Sequence, residues 1–339
     1  MSNVSGYNRK RGRTLLIVEG NHEKNVLFRI LFRLFPELSI DIHDVWIYGT
    51  NIYKLYQDIV KEYGDGWNQD DIDLPLLLSE KRGFEKCHKT DFVNIFLIFD
   101  YERHDPAFSE TKIQEMQNYF HDSTDNGKLY LNYPMIESYQ DVKSTSDQDY
   151  IDKWIPVTLQ PGNKYKETVR DSFIGKIVDY PRKIRDLTEE RFHLVDPNQL
   201  NKVTDYILNY NGNSNLEENL HHMLAGYIPD KDQITLINQI KVLIRQVGYG
   251  SGLNYWENTR NLFRELIGLN IDKAFRIQFG KGKWLAFQES LEDKYEQIEE
   301  NAILEVQNEA GRDSEIGIIW VLNTCIMLVA EYNFRLIKG

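Results

Sequence analysis

Two largely apolar runs, each followed by acidic residues, dominate the hydrophobic pattern of this chain. The first covers residues 14–18 and leads directly into Glu19 and Gly20. The second covers residues 93–99 and leads into Asp100, Tyr101 and Glu102. Apolar runs of this length, which are polar here only at Thr14 and Asn94 near their starts, are typical of strands buried on both faces of a parallel sheet. We therefore predict two central strands that both end in carboxylates.

Between residues 14 and 139 the pattern alternates between strand and helix. Helical spacing of apolar residues over 22–34 predicts a helix, and Asn51 is a candidate cap for a second. Ser109 begins a predicted helix that runs to about Phe120, whereas residues 65–91 look polar and irregular. Strands are predicted over residues 14–18, 45–48, 93–99 and 128–132. This order predicts an α/β fold, a parallel sheet flanked by helices with right-handed crossovers.

Residues 140–339 have a different pattern, in which helix-like segments separated by loops rich in Asn, Gly and Ser predominate. We predict a mostly helical module there, with no visible internal repeat. The longest apolar run, residues 316–330, is too short to cross a bilayer comfortably and contains Asn323 and Thr324, so we expect it to form a buried helix. The predicted helices cover residues 198–208, 230–247, 256–266, 285–300 and 315–332.

The acids that follow the two apolar runs suggest a shared site. Because the carboxyl ends of parallel strands meet at one sheet edge, Glu19, Asp100 and Glu102 should lie close together there. Clustered carboxylates repel one another unless a cation lies between them, and hard oxygen ligands suit Mg²⁺ or Mn²⁺. Each acid also has a simpler interpretation, as a helix cap or a solvated loop residue.

Composition narrows the functional classes only slightly. The net charge is 40 − 52 = −12, which argues against a broadly basic nucleic-acid surface. Residues 1–13 nevertheless form a basic arm, which we expect either to touch phosphates or to be a solvated tail. Two distant cysteines, Cys87 and Cys325, argue against a disulfide framework or a zinc site, and no signal peptide is evident. We expect a reduced, cytoplasmic protein.

The acidic strand ends resemble those of the Toprim domain, which has a Glu after its first strand and Asp-x-Asp after its third. The matching residues here are Glu19, Asp100 and Glu102, so this chain has Asp-x-Glu instead. The resemblance covers residues 14–139 and implies a Rossmann-like Toprim catalytic domain. Residues 140–339 would then be a helical module for binding substrate, a second copy or a partner.

A narrower resemblance follows the fourth predicted strand, where Ile136, Glu137 and Tyr139 lie in a short helical segment that begins near Pro134. This segment looks like that of Toprim effectors in PARIS-type anti-phage systems and of related OLD-family and abortive-infection nucleases. The resemblance implies that Glu137 joins the acids. It also implies a Mg²⁺-dependent endonuclease toxin, controlled by a separate ABC-type ATPase and dimeric when active.

The resemblance implies roles for individual residues. Asp100 and Glu102 would hold Mg²⁺ or Mn²⁺, while Glu19 would complete a second site or act as general base. Lys128, Lys143 and Arg103 are candidate phosphate contacts, with plain surface charge as the alternative for each. The acidic composition favours a compact substrate such as tRNA, or recruitment by a partner, although DNA stays open.

Two non-catalytic interpretations of the acids at the strand ends remain. A receiver-like regulatory module also places acids at strand ends, and Asp100 would be its phosphoacceptor. A scaffold that binds an ATPase and carries a degenerate site is the other. The chain contains no ATPase signature of its own, so any ATP-driven control would need a partner.

Overall fold

A computed structural model describes residues 12–159 and 162–338, and its centre is a five-stranded sheet. The strand order across the sheet is β2-β1-β3-β5-β4. The first four strands in that order are parallel, and β4 runs antiparallel to β5 at the edge. The α/β prediction is therefore confirmed. The strands are β1 (Arg13–Val18), β2 (Val45–Ile47), β3 (Phe92–Asp100), β4 (His121–Asp122) and β5 (Gly127–Asn132).

The two apolar runs form the two inner strands, β1 and β3, which pair with each other in parallel. Val18 lies opposite Ile98, so the two strands end at the same edge of the sheet. Residues 15–18 and 95–99 are buried throughout. Their side chains leave water on both faces of the sheet, which explains why neither run alternates with polar residues.

Helices cover the sheet and form most of the rest of the chain. The segment that follows β1 begins as a π-helical turn, Glu23–Phe28, and continues as α-helix. Asn51 and Ser109 cap the helices that follow them, as predicted, by accepting backbone N–H groups through their side chains. The helices of this part are α1 (Arg29–Leu34), α2 (Ile52–Tyr63), α3 (Leu74–Arg82) and α4 (Glu110–Tyr119).

The C-terminal part is mostly helical, as predicted. A 3₁₀ segment, Ile136–Gln140, carries Glu137 and leads into it. Its elements are β6 (Trp154–Pro156), α5 (Gly162–Arg170), α6 (Phe173–Asp186), α7 (Pro197–Asn209), α8 (Leu216–Leu224), α9 (Asp230–Val247), α10 (Tyr255–Ala286), α11 (Leu291–Tyr295), α12 (Glu300–Ala310), β7 (Ile318–Trp320) and α13 (Leu328–Tyr332).

Several predicted boundaries were wrong. The helix α3 lies within residues 65–91, which looked irregular, and Asp73 caps it. The helix predicted over residues 256–266 runs to Ala286, although Gly280 adopts a non-helical conformation within it. The predicted 285–300 helix is instead the short α11 followed by the start of α12.

The segment 316–330 is buried but is not the continuous helix that its apolar character suggested. Its first residues form β7, which pairs with β6. The side chains of Asn323 and Thr324 then bond to backbone groups, which gives the chain an alternative to helical hydrogen bonding. Asn323 donates to the Ile136 carbonyl at 2.7 Å, and Thr324 donates to the Leu131 carbonyl at 2.8 Å.

The C-terminal segment is also bonded to the sheet beside the carboxyl edge. Tyr133 and Leu322 exchange two backbone hydrogen bonds of 2.8 Å. Earlier along the same stretch of chain, on β5, Lys128 and Tyr130 donate hydrogen bonds of 2.6 Å and 2.5 Å to Glu331. Glu300 lies 3.0 Å from the same lysine. The predicted boundary at residue 139 therefore falls inside a packed and hydrogen-bonded unit.

Residues 1–11 of the predicted basic arm lie outside the described residues. Arg13 begins β1, where it pairs with Asp44 and lies over the Phe92 ring. In the part of the chain that the structure describes, no helix is long and apolar enough to cross a membrane.

We predict that Asn323→Ala lowers the free energy of unfolding by about 3 kcal/mol, because it leaves the buried Ile136 carbonyl and the Ile326 N–H without their partner. Urea denaturation followed by circular dichroism would measure the change. The exposed Asn118 on α4 offers a matched control, and Asn118→Ala should change stability by less than about 0.5 kcal/mol. Equal effects of the two substitutions would contradict the assigned role.

Candidate functional site: carboxylates at the sheet edge

Glu19 is anchored to β3 through both its backbone and its side chain. Its N–H donates to the Ile98 carbonyl at 3.1 Å, and its carboxylate accepts the Asp100 N–H at 3.2 Å. The side chain therefore lies across the end of β3 rather than in solvent. The structure thus brings Glu19 and Asp100 together at the carboxyl edge, where the sequence placed them.

Asp100 is buried like Glu23 and Glu137, with a relative exposure of 6%. One carboxylate oxygen accepts the Ile136 N–H at 2.7 Å. Burial, followed by the charges of Glu19, Glu23 and Glu137, raises the pKa of Asp100 well above its usual range. The hydrogen bond from Ile136 opposes this shift only in part.

Glu19, like Asp100, has a pKa that burial and neighbouring acids raise. Burial, followed by repulsion from Glu102, raises the pKa of Glu19 to about 8. The Asp100 N–H and the Lys166 ammonium act in the opposite direction. Without an additional cation, this carboxyl group is therefore mostly protonated at neutral pH.

Glu23 and Glu137 extend the cluster. Burial, with a contribution from the charge of Glu137, raises the pKa of Glu23 to about 7. Glu137 is 5% exposed, and its Oε1 lies 3.1 Å from Lys166 Nζ and 3.9 Å from His22 Nδ1. Its other oxygen, Oε2, is buried without a hydrogen-bond partner in the described part of the chain. Glu137 therefore lies within the acid cluster, and its catalytic role there stays a prediction.

Glu102 lies at the margin of the acid cluster. The chain turns after β3, where the Asp105 N–H bonds to the Glu102 carbonyl, so Asp100 and Glu102 do not continue one strand as expected. The Glu102 carboxylate accepts a hydrogen bond of 3.1 Å from the Asn51 side chain and is only half-buried. Its charge nevertheless acts on Glu19.

The three candidate phosphate contacts lie elsewhere. Lys128 is enclosed between Glu300 and Glu331, so its charge is already compensated within the fold. Lys143 is exposed and pairs with Asp149 at 2.9 Å. Arg103 donates to the Tyr101 hydroxyl at 3.0 Å and to Glu110 at 3.2 Å. All three side chains make ion pairs within the fold, and their role as phosphate contacts stays a prediction.

Sequence reasoning missed three residues of the site. Glu23 gave a signal, because it follows Glu19 by about one helical turn. His22 and Lys166 gave none. Lys166 belongs to α5, which packs against the segment that carries Glu137, and only the tertiary fold brings it to the sheet edge.

The donor set fits a hard divalent cation in chemistry and charge, but it is not assembled as a ligand cage. Within residues 12–159 and 162–338, no group of three or more His, Cys, Asp or Glu side chains is arranged to hold a metal ion. The second oxygens of Glu19 and Asp100 accept no hydrogen bond from the described protein groups, and Glu137 Oε2 is orphaned. A cation would therefore require side-chain rotation, and it would relieve the repulsion that raises these pKa values.

Comparison of the chain with protein-family models, with curated protein sequences and with solved structures gave no match.

We predict that, in EDTA, the free energy of unfolding falls by about 2 kcal/mol between pH 6.5 and 8.5. The pKa of Glu19 is about 8 in the folded protein and 4.5 in the unfolded chain, so the folded state binds more protons in this window. Stability therefore decreases as pH rises towards the folded pKa. Urea titrations across this pH range would measure it.

Below this pH range, His22 changes the stability in the opposite direction. Burial lowers the pKa of His22, so this residue costs stability only below about pH 6.5. Glu19→Gln can still accept the Asp100 N–H and should reduce the pH dependence, while the raised pKa values of Glu23 and Asp100 leave part of it. The exposed Glu80 on α3 provides the control, since Glu80→Gln should leave it unchanged. A pH-independent stability in the wild type would contradict the assigned burial of these acids.

Proposed function

We propose that this chain is a Toprim-like, Mg²⁺- or Mn²⁺-dependent nuclease that cleaves phosphodiester bonds. The main support is a buried excess of acidic over basic side chains at the carboxyl edge of a parallel sheet. Glu19, Asp100 and Glu137 come from the ends of three neighbouring strands or the segment after them, and one of their oxygens has no described partner. Sites in open α/β sheets lie at this edge.

Asp100, Glu19 and Glu102 are the residues that would hold the cation, with Glu137 beside them. A divalent cation bound there would stabilise negative charge on the scissile phosphate and lower the pKa of an attacking water. Lys166 would have a different role. Lys166 lies next to Glu137 and can donate to a phosphate oxygen.

Proton transfer in this site would depend on cation binding. Glu19 is mostly protonated at neutral pH in the metal-free protein and so cannot accept a proton. An added positive charge lowers its pKa and makes it available as a general base. His22 is a second candidate for proton transfer, because burial keeps it neutral near pH 7 and its ring faces Glu137 and Tyr139.

The receiver-like alternative fits the geometry less well. A phosphoacceptor aspartate must be reached by a phosphodonor, whereas the Asp100 carboxylate is almost fully enclosed and bonded to the Ile136 N–H. The scaffold alternative predicts that the cluster binds no cation. Titration with Mn²⁺ separates it from the nuclease proposal.

The wider biological role stays a prediction that rests on the resemblance. The protein would be an effector of anti-phage defence that causes abortive infection. A partner ABC-type ATPase would restrain it, and a homodimer would be its active form. The choice between tRNA, other RNA and DNA as substrate belongs to the same prediction.

We expect calorimetric titration of the wild type with Mn²⁺ to give saturable heat, which is abolished by Asp100→Asn. The substitution removes an ionisable carboxyl group from a buried position of the cluster and keeps the shape and the acceptor oxygen that faces the Ile136 N–H. Glu80→Gln should titrate like the wild type. Absence of saturable heat in the wild type would support the scaffold alternative.

We further expect nuclease activity on a mixture of tRNA, single-stranded RNA and DNA that requires Mg²⁺ or Mn²⁺ and is lost in EDTA. Glu19→Gln should reduce the rate at least about 100-fold, because it removes both a ligand and the general base. Glu80→Gln should keep the wild-type rate. Full activity of purified Glu19→Gln would refute the proposal.

A further inference from the structure

A large cleft opens directly from the carboxylate cluster. Its volume is about 1230 Å³, above the range of about 300–1,000 Å³ that is usual for small-molecule sites. His22, Glu137 and Lys166 belong to its lining, so the cleft and the cluster share residues. Most of the other lining residues come from α1, α5 and α6.

The cleft is locally basic on a protein whose net charge is −12. Its lining contains five cationic and three acidic side chains, a local balance of 5 − 3 = +2. The cationic residues are Arg29, Arg33, Lys166, Arg170 and Arg182. The acidic residues are Asp41, Glu137 and Asp179.

Three of these cations are available to a ligand. Lys166 pairs with Glu137, and Arg182 pairs with Asp179 and Asp186. Arg29, Arg33 and Arg170, in contrast, are exposed and make no ion pair within the described ranges. Exposed cations without counter-charges, arranged along one cleft, are typical of a surface that binds a polyanion.

An aromatic side chain adds a stacking surface to the same wall. The guanidinium of Arg33 lies 4.0 Å from the centroid of the Trp256 ring. Trp256 lines the cleft, and its Nε1–H is buried without a partner in the described part of the protein. Positive grooves combined with an aromatic or an arginine plane are the usual means of binding single-stranded nucleic acid.

The size of the cleft suits a single strand better than a duplex. One turn of duplex is about 34 Å long, whereas the cleft holds about 1230 Å³, so we expect a short single-stranded segment to fill it. Arg29 and Arg33 are four residues apart on one helical face, about 6 Å along the axis, close enough to serve neighbouring phosphates.

We infer that this cleft binds the sugar–phosphate backbone of a single-stranded nucleic acid segment and directs it to the carboxylate cluster. Arg29, Arg33 and Arg170 contact phosphates, and Trp256 with Arg33 supports a base. The inference rests on the proposed nuclease function for the fate of the bound strand, although the binding itself does not require cleavage.

Fluorescence anisotropy with a labelled single-stranded RNA, in EDTA to prevent cleavage, tests the binding. Arg29→Ala/Arg33→Ala should weaken binding about tenfold. Loss of two phosphate contacts should also make the dependence of log K on log salt shallower by about 1.4, at about 0.7 per contact. The matched control is Arg245→Ala/Arg335→Ala, which removes two exposed arginines outside the cleft and should change neither quantity.

Several results of the binding assay would overturn the cleft assignment. They are absence of binding by the wild type, unchanged affinity and salt dependence in the Arg29/Arg33 double variant, an equal loss in the control pair, and equally tight binding of a blunt duplex. Thermal melting confirms that each variant is folded. If only an acidic peptide bound to the cleft, the surface would serve a protein partner and the inference would fail.

A parallel cleavage assay separates this inference from the proposed function. Cleavage by the wild type that is unaffected in the Arg29/Arg33 double variant would overturn the cleft and leave the nuclease proposal intact. Strand binding that depends on both arginines, without any Mg²⁺- or Mn²⁺-dependent cleavage, would support the cleft and overturn the nuclease proposal.

Discussion

The attachment of Glu19 to the end of β3 is the interaction on which the site depends. The backbone and the carboxylate of Glu19 both bond to β3, and the parallel register of β1 and β3 fixes where that happens. Asp100 then has Glu19 on one side and the Ile136 N–H on the other. Two buried apolar strands in register are therefore enough to force acidic groups into one enclosed place.

That enclosure has an electrostatic cost which the fold offsets only partly. Lys166 supplies one positive charge to a cluster that contains Glu19, Glu23, Asp100 and Glu137. The raised pKa values of Glu19 and Asp100 express the remaining imbalance. Strongly shifted pKa values of this kind occur often at functional sites, which is why we propose a catalytic rather than a structural role for the cluster.

The sequence predicted the sheet and two of the acids well, because both depend on local patterns. An apolar run followed by a carboxylate is visible in β1 and β3, and parallel strands end together. The direction of Glu102 was predicted less well, since the chain turns immediately after Asp100. The helix expected over 316–330 failed because Asn323 and Thr324 bond to backbone groups of distant segments. Lys166 and the basic cleft arise from tertiary packing, which no spacing in the sequence reveals.

The ion network around Lys128 makes the two halves of the chain depend on each other for stability. Lys128 and Tyr130 lie on β5 of the sheet, while Glu300 and Glu331 come from helices near the other end of the sequence. A chimera that joined this sheet to a foreign C-terminal half would leave an enclosed ammonium without its counter-ions. Neither half can therefore be exchanged alone without a loss of stability, and a cut near residue 140 would not yield two independent pieces.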